Sequence, residues 1–500
     1  MSSSGDASLQ KEAALTHVDR PQLEDEDHEL EFDSPAKEGA TAYDIHDMDA
    51  LGLAPTFRRR LKFIAMVGFC SIVVVAWQNT LTNLGFGLLD GGTGGIFWTF
   101  VSSLLASTFL YMTLCELSSS YFPNRRRSIP VGGKMLKLLF FQSAECAPAS
   151  TRNLLSYCTG WLLVLGWQTT VAGCGVIIGN LIKYCIVLYH PDIPAVNSQW
   201  FPTLLAIISL LLGGVFNLYL TKKFAVLEGI MLTIHWAAWL AIVITLWATS
   251  PHAKPSEVLF TFTNGGGYDS SVHMTENAKD ASRTIPFSLM TAFGTNAVLA
   301  FIMAVTLVFC VGDVDAVTAE TSLTPFVVIF YNSTKSKAGT VVMVMPVILT
   351  FWSALVSQLA TASRQLWAFA RDGGIPWAPY LAPVHDFEVP RRAVWVSIAF
   401  TSLVALINFG PVVGFNAIVS LTIIAITSSY TTCIAAINLV ALGCTAPLTI
   451  LVLFPPVPNP TAAEMNWAVL AFGAIALLSA VYYVIGGREH FHPPLRKDRY

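Results

Sequence analysis

Two short groups of polar and aromatic residues interrupt long apolar runs of this sequence. The first group lies inside the first apolar run and the second inside the third. Amide and hydroxyl groups at such positions need hydrogen-bond partners or mark a cavity, and an indole face can attract an ammonium group. The candidate substrate-binding residues are therefore Trp77, Gln78, Asn79, Thr80, Trp167 and Gln168. The alternative is that these residues hydrogen-bond or pack against neighbouring helices.

Charged residues near the ends of apolar runs could carry protons or hold a gate by charge pairing. The candidates for this coupling or gating role are Glu116, Glu228, Arg364 and Arg371. A position at the membrane interface explains the two glutamates as well, and the arginines could serve as topology anchors. His235 lies deeper in the fifth run, where a hydrogen-bonded packing histidine is favoured over a proton relay.

The sequence lacks the motifs of several other protein classes. It has no G-x-x-x-x-G-K-[ST] loop, which argues against ATP-driven pumping, and no H-E-x-x-H or G-x-S-x-G motif of a protease or lipase. Most of the 9 cysteines lie inside apolar runs without metal-binding or disulfide spacing. We expect no enzyme activity, no cofactor, no metal site and no nucleic-acid partner.

Composition and apolar runs predict an all-α polytopic membrane protein. The 500 residues are 54% hydrophobic and 12% charged, whereas soluble domains carry about 25% charged residues. About eleven runs are long enough to cross a lipid bilayer as helices. They are Leu61–Gly85, Ile96–Leu117, Leu154–Tyr189, Phe201–Leu220, Ala225–Thr249, Pro286–Val311, Gly339–Leu359, Ala393–Phe409, Val413–Ser429, Ile434–Phe454 and Trp467–Ile485. The turn between Val413–Ser429 and the following run is expected near Ser428–Tyr430.

Three regions follow from this pattern. Residues 1–56 are polar and strongly acidic, with few apolar residues, and are predicted to be a disordered cytoplasmic tail. Residues 57–486 form the predicted membrane domain, and residues 487–500 a short cytoplasmic tail.

Basic residues set the predicted orientation, because they concentrate on the cytoplasmic side. Arg58–Arg60 precede the first run, and Lys222 with Lys223 lie between the fourth and fifth. The N-terminus is therefore cytoplasmic, and the fifth run exits on the outer side. Asn332 belongs to the N-glycosylation sequon, which should face the lumen or exterior.

One crossing is missing from this alternation. Later basic residues such as Arg364 and Arg371 should be cytoplasmic, and Asn332 should be outside, so the run Pro286–Val311 must start inside and end outside. The chain therefore has to return across the membrane between Pro251 and Arg283. That segment contains Gly265–Gly267, Asp269 and Glu276 and no apolar run near 18 residues. Twelve spans are therefore expected, of which the sixth is absent.

Several segments resemble one family of transporters. They are GFGLLDGGTGGIFW (85–98), SYCTGWLLVLGWQTTVAG (156–173), FTNGGGY (262–268), VHMTENAKDASRTIP (272–286), WAFARDGGIP (367–376) and FPPVPNPTAAEMNWAV (454–469). Together they resemble the fungal amino acid/choline transporters, which include GABA permeases, in the amino acid–polyamine–organocation superfamily. The resemblance implies an inverted-repeat fold with broken first and sixth helices around a substrate site. It places the unwound segment of the first helix at Ala76–Thr80.

The resemblance implies a secondary transporter for amino acids, GABA or amines such as choline, with protons as the coupling ion and the lipid bilayer as its environment. We expect the plasma membrane, with the vacuole or another endomembrane as the alternative. Gln78 stands where related sequences often have an acidic residue, which weighs against choline. A join of Tyr268 directly to Asp269 omits the sixth helix. The competing hypotheses are therefore a transport-dead or regulatory splice or gene-model variant, and a nutrient sensor on the same fold.

Overall fold

A computed structural model describes residues 63–120, 152–261, 281–320, 323–384, 389–409, 413–434, 467–487 and 490–491. Within these ranges the chain forms helices and no strands. The α-helices are α1 (Phe63–Val74), α2 (Ala76–Thr82), α3 (Leu84–Ser120), α4 (Arg152–Val187), α5 (Pro194–Asn197), α6 (Trp200–Tyr219), α7 (Phe224–Thr249), α8 (Pro255–Phe260), α9 (Ala281–Cys310), α10 (Val314–Ala319), α11 (Pro325–Thr334), α12 (Lys337–Arg371), α13 (Ala378–Leu381), α14 (Arg391–Ala405), α15 (Val413–Ile434) and α16 (Ala468–Tyr482).

These helices confirm the prediction of an all-α polytopic protein. In the described ranges, 8 helical segments are long and apolar enough to cross a membrane. Each predicted span overlaps one helix or a series of consecutive helices, except Ile434–Phe454, which lies almost wholly outside the described residues. The predicted tails at residues 1–56 and 487–500 also fall largely outside these ranges. Phe491 is described and is buried beside Tyr157, with ring centroids 5.3 Å apart.

The predicted turn at Ser428–Tyr430 is wrong, because α15 continues through these residues to Ile434. The hydroxyls of Thr427 and Ser429 donate to carbonyl groups of the preceding turn, at Ile423 O (2.6 Å) and Ile426 O (2.8 Å). Helical serine and threonine can satisfy themselves in this way, so a polar pair inside an apolar run does not end the helix.

The first span is broken at Val75. This residue separates α1 from α2 and has φ 41° and ψ 46°, in the left-handed region that β-branched residues rarely adopt. Such a conformation costs about 1–2 kcal/mol and persists where surrounding packing enforces it; the Val75 side chain is buried. The predicted break at Ala76–Thr80 is thus displaced by one residue, since those residues form helix α2.

The long helices pack into two groups, which are joined by α7 and by a direct contact between α1 and α12. In one group, α9 packs against α1, α2 and α3; in the other, α4 packs against α6, α12, α14 and α15. Helix α7 contacts α1, α9 and α12. The broken span therefore has α7 and α12 on one side and α3 with α9 on the other.

Helices α7 and α9 run in the same direction. Trp239 and Trp247 of α7 donate their indole N–H groups to Leu299 O (2.9 Å) and Thr306 Oγ1 (3.0 Å) of α9, so numbering rises together along both helices. The distribution of basic residues in the sequence predicted that these two helices run in the same direction. Ala253 N donates to Phe309 O, 3.0 Å away. The connection from α7 to α9 therefore leaves beside the end of α9 and must reach its start at Ala281.

Within that connection, the described residues contain α8, which has 6 residues and is too short to cross a membrane. The prediction of an absent sixth span concerns the join of Tyr268 to Asp269, which lies outside the described residues.

Candidate functional site

The break at Val75 frees carbonyl groups of α1, and side chains satisfy two of them. Gln358 of α12 donates its Nε2 to Val73 O (2.9 Å), and Asn79 donates its Nδ2 to Val74 O (3.0 Å). An unpaired carbonyl inside a membrane domain costs several kcal/mol. These two amides therefore stabilise the broken geometry and fix the ends of α1 and α2 relative to α12.

One face of α2 is hydrogen-bonded to His235 of α7. Trp77 Nε1 lies 3.2 Å from His235 Nε2, and the Gln78 side-chain amide lies 3.0 Å from His235 Nδ1. All three side chains are fully buried. We call the face of the broken span that contacts α7, with residues Trp77, Gln78, Glu228, His235 and Ser357, the α7 side.

The indole N–H of Trp77 assigns the protonation of this histidine. Because an indole can only donate, His235 Nε2 must accept, and a neutral ring then carries its proton on Nδ1. That proton needs an acceptor, so we assign the Gln78 carbonyl oxygen, rather than its NH₂ group, to the position facing Nδ1. A doubly protonated His235 would set two N–H groups against each other. The geometry thus favours the packing role over the proton relay for this histidine.

Glu228 is also buried on the α7 side. Its Oε1 contacts the hydroxyl of Ser357 on α12, and its Oε2 has no hydrogen-bond partner among the described residues. No described lysine or arginine pairs with it, and Cys70 of α1 is its titratable neighbour. Glu228 lies one turn from the start of α7, near the end of its span as the sequence predicted, and its side chain is fully buried among the helices.

Ser357 can serve either protonation state of Glu228. Its hydroxyl lies within 3.0 Å of Ser353 O as well as in contact with the carboxyl group, and a hydroxyl carries one proton. When Glu228 is protonated, it can donate to Ser357, which then donates to Ser353 O. When Glu228 is ionised, Ser357 can rotate its proton towards the carboxylate. The pair can therefore form hydrogen bonds in both protonation states of Glu228.

The opposite face of α2 borders a cavity of about 60 Å³ between α2, α3 and α9. We call this face and its neighbours the cavity side. Its polar lining residues are Asn79, Thr80, Ser103, Ser107, Tyr111 and Asn296. Phe293 of α9 stacks on Tyr111 of α3 with ring centroids 4.2 Å apart. Asn296, at the midpoint of α9, is buried, and its Oδ1 has no partner among the described residues.

Gln168 of the second polar group bonds to a different helix from the residues of the first group. Trp167 is buried within α4, and Gln168 donates its Nε2 to Ser397 Oγ of α14 at 2.7 Å. Gln168 thus bonds within the second helix group, whereas Trp77 and Gln78 bond to α7. Of the six candidates, Asn79 and Thr80 line the cavity. The substrate-binding role of all six stays a prediction.

The remaining charged candidates lie apart from the break. Arg371 ends α12, where its guanidinium lies 4.5 Å from the Trp367 ring and its Nε lies 3.4 Å from Asp372 Oδ1. This local pairing suits a cation at a helix C-terminus. Arg364 is half-buried two turns earlier. Glu116 lies near the end of α3, and its side chain is outside the described set.

The sequon residue Asn332 is exposed on α11. Its neighbour Ser333 contacts Thr249, at the end of α7. The sequon therefore lies at the end of the bundle where α7 ends, which the charge pattern predicted to be the outer side. Glycosylation itself stays a prediction.

A family model described as amino acid permease matches residues 61–440. The chain belongs to this amino acid permease family. It is accordingly an integral, multi-pass membrane transporter and not an enzyme, as the sequence predicted.

Relatives of the permease align over most of its length. A Macrophomina phaseolina protein named as an amino acid/polyamine transporter is 26% identical over 71% of this chain and 80% of its own. The choline transporter of Saccharomyces cerevisiae is 23% identical over 90% of this chain and 86% of its own. An amino-acid permease of Arabidopsis thaliana is 23% identical over 89% and 95%. These similarities confirm the predicted resemblance to amino acid and choline transporters.

Sequence reasoning missed the permease residues that complete the site from other helices. Asn296 could have been noticed as an amide inside the apolar run of α9, and Ser357 with Gln358 as a polar pair inside α12. Nothing in the sequence indicates that these residues meet the first span, because they lie more than two hundred positions away from it.

Proposed function

We propose that this permease moves an amino acid or a small amine across the membrane by alternating access, with the break at Val75 as the hinge. The observation that carries the proposal is the polar cavity beside the broken first span. Discontinuous helices line substrate sites in transporters because non-helical backbone is tolerated there. Asn79 and Thr80 are the substrate contacts of this proposal, whereas Trp77 and Gln78 hold α2 against α7.

We further propose protons as the coupling ion and Glu228 as their carrier. A buried carboxyl group without a described basic partner favours the protonated form, and Ser357 can hydrogen-bond to both forms. Because Glu228 touches α12 and lies beside α1, loss of its proton would place an uncompensated charge between two helices that must move. Glu116, Arg364 and Arg371 remain candidates for gating at the helix ends.

Because two relatives are named as an amino acid/polyamine transporter and a choline transporter, the proposed substrates also include polyamines and choline. We propose the plasma membrane as the site of action, with the vacuole or another endomembrane as the alternative. Immunofluorescence of the tagged chain distinguishes these locations.

Uptake of labelled compounds by cells that express the chain tests the function. GABA, neutral amino acids, a polyamine and choline are compared with a vector control at external pH 5 and pH 7. We expect accumulation of at least one compound, faster at pH 5 because the inward proton gradient is larger. If the protein reaches the membrane and no compound accumulates above the control, the proposal that this chain is a transporter of these compounds is wrong.

A transport-dead or regulatory product is the second candidate, and the parallel α7 and α9 favour it. Two consecutive long helices with the same direction require a return crossing, and α8 is too short to provide one. Sequencing the mature transcript across the codons for Tyr268 and Asp269 tests this candidate. If the mature transcript contains about twenty further apolar codons between those for Tyr268 and Asp269, the transport-dead candidate loses its support. A nutrient sensor would bind amino acids and produce a signal without net uptake.

A further inference from the structure

The chain folds back onto the helices after α16. A π-helical turn at Tyr483–Gly487 follows this helix, and His490 Nδ1 lies 2.9 Å from Gly486 O. The next residue, Phe491, lies within the predicted cytoplasmic tail but is only 3% exposed. A phenylalanine buried to this extent is part of a packed core, so the tail has a docking site on the protein.

Phe491 packs against aromatic rings at the ends of two long helices. Its ring centroid lies 5.3 Å from that of Tyr157, near the start of α4, and 6.0 Å from that of Phe369, near the end of α12. Both pairs are edge-to-face, an arrangement that is favourable beyond burial alone. Tyr157 also contacts Tyr483 of the turn after α16, with centroids 5.1 Å apart. The Phe491 ring therefore completes a buried cluster in which α4, α12 and this turn meet.

Three glycines shape this docking site. A Cβ atom at Gly160 of α4 or at Gly374 would overlap the Phe369 ring, so the two glycines together make room for that ring. At Gly373, which has φ 78°, a Cβ atom would overlap the carbonyl oxygen of His490. Glycine permits such a close approach of two backbones. The tail backbone thus lies directly against the turn that ends α12.

The docked tail lies at the end of α12 that the charge pattern predicted to be cytoplasmic. Helix α12 packs along α4, and at its other end Lys337 Nζ lies 5.8 Å from the centroid of the Tyr189 ring, just beyond α4. Contacts with α4 therefore hold α12 at both ends. The same helix carries Ser357 and Gln358, which bond to α7 and to the break in the first span. The position of α12 thus determines where these two contacts are made.

Resting on the proposed transport function, we propose that the C-terminal tail is a clamp, in which docked Phe491 holds α12 and α4 together while α1 and α7 move against them. Burial of a phenylalanine side chain favours the docked state by about ten- to a hundredfold, so docking is stable and still reversible. Release of the tail would free the end of α12 and let Ser357 and Gln358 follow the helices that they should hold. Transport would then slow, because the moving helices lose their fixed support.

Limited proteolysis of the purified full-length protein tests the docking. Trypsin can cut after Arg488, just before the docked residues, and after Arg496 or Lys497, beyond them. Cleavage of a transiently opened segment follows the population of the open form. We expect wild type to be cut last after Arg488, and Phe491→Ala to be cut there about tenfold faster.

The control for this measurement is Gly486→Ala, because a Cβ atom at Gly486 meets no atom within 4 Å. It should be cut like wild type. Equal rates of cleavage after Arg488 in wild type and Phe491→Ala would show that Phe491 does not hold the tail, and would overturn the proposal.

Two truncations test the role of the docked tail in transport. Truncation after Gly487 removes the docked residues, whereas truncation after Leu495 keeps them and should transport like wild type. We expect the first truncation and Phe491→Ala to lower the maximal uptake rate per folded molecule about tenfold. Apparent affinity should not change, because the cavity lies between α2, α3 and α9. Phe491→Leu keeps an apolar side chain and should recover most of the rate.

A merely structural role of the tail would reduce the amount of folded protein but not the rate of each folded molecule. An unchanged or higher rate per folded molecule in Phe491→Ala therefore overturns the clamp, and this variant decides if truncation after Gly487 does not reach the membrane.

The two assays separate this proposal from the proposed function, because proteolysis does not require transport. A chain whose tail is protected by Phe491 but that accumulates no compound keeps the docked tail and loses the transport function. A chain that transports at the wild-type rate after release of the tail keeps the transport function and loses the clamp.

Discussion

The two faces of α2 differ in how their polar groups are satisfied. On the α7 side, Trp77 and Gln78 are fully buried and hydrogen-bonded to one histidine. On the cavity side, Asn79 and Thr80 are half-buried and line a space between helices. Four consecutive residues thus divide into a structural pair and a pair that can meet a ligand. Polar residues inside a membrane span do not act as one group merely because they are adjacent.

The largest expected effect is loss of proton-driven accumulation in Glu228→Gln. Glutamine keeps the contact with Ser357 but cannot release a proton. We expect uptake against a gradient to fall to background at both pH values, while exchange of substrate across the membrane persists. Proteoliposome uptake with and without an imposed pH gradient measures this.

The control for that variant is Glu257→Gln, on α8, because Glu257 is exposed and paired with Lys254 at 3.9 Å. It should transport like wild type. Normal pH-driven accumulation by Glu228→Gln would place proton coupling away from the α7 side.

The next effect is on stability, in His235→Ala. This change leaves the Trp77 indole N–H and the Gln78 amide without their partner and opens a void between α2 and α7. We expect a loss of about 2–4 kcal/mol, seen as a lower melting temperature of the purified protein. His252→Ala is the control, because His252 is exposed near the end of α7. Unchanged melting with lost substrate affinity would instead assign His235 to the substrate site.

A smaller effect is expected from Gln358→Leu, which removes the hydrogen bond to Val73 O at the break. Leucine has a similar size and also removes the buried Gln358 Oε1, which has no described partner. These contributions partly offset each other, so the net loss should be about 1–2 kcal/mol. Thermal unfolding measures the loss. Because the hinge loses a contact with α12, the maximal uptake rate should change more than the apparent substrate affinity.

The smallest effect is expected from Ser397→Ala, which removes the partner of Gln168. We expect a stability loss of about 1 kcal/mol and no change in apparent substrate affinity, because this bond joins α4 to α14 away from the cavity. A change in affinity in the uptake assay would show that the position of Gln168 matters to the substrate after all.

Most of the fold could be predicted from the sequence, because the length and hydropathy of a run determine whether it spans a membrane. The helix bounds of α4, α6 and α7 differ from the predicted spans by one or two residues. Two local predictions were wrong for a common reason. Ser429 and the stretch Ala76–Thr80 contribute polar side chains, but helical hydroxyl and amide groups can bond within their own or adjacent helices and so need not interrupt the helix.

The candidate site was predicted in part. Asn79 and Thr80 were chosen for their polarity and do line the cavity, but the same signal selected Trp77 and Gln78, which face α7. Asn296, Ser357 and Gln358 were not selected, although each is a polar residue in an apolar helix. Polarity identifies residues that need a partner, and only packing determines whether that partner is another helix or a ligand.

The sequence alone determined the membrane class, the family resemblance and the direction of α7 relative to α9, because hydropathy and basic residues respond to the bilayer rather than to tertiary contacts. The tertiary structure decided where the first span breaks, which face of α2 is closed by His235, and that Glu228 is buried against Ser357. Those features depend on residues far apart in the chain that meet only when the helices pack, so no local pattern can encode them.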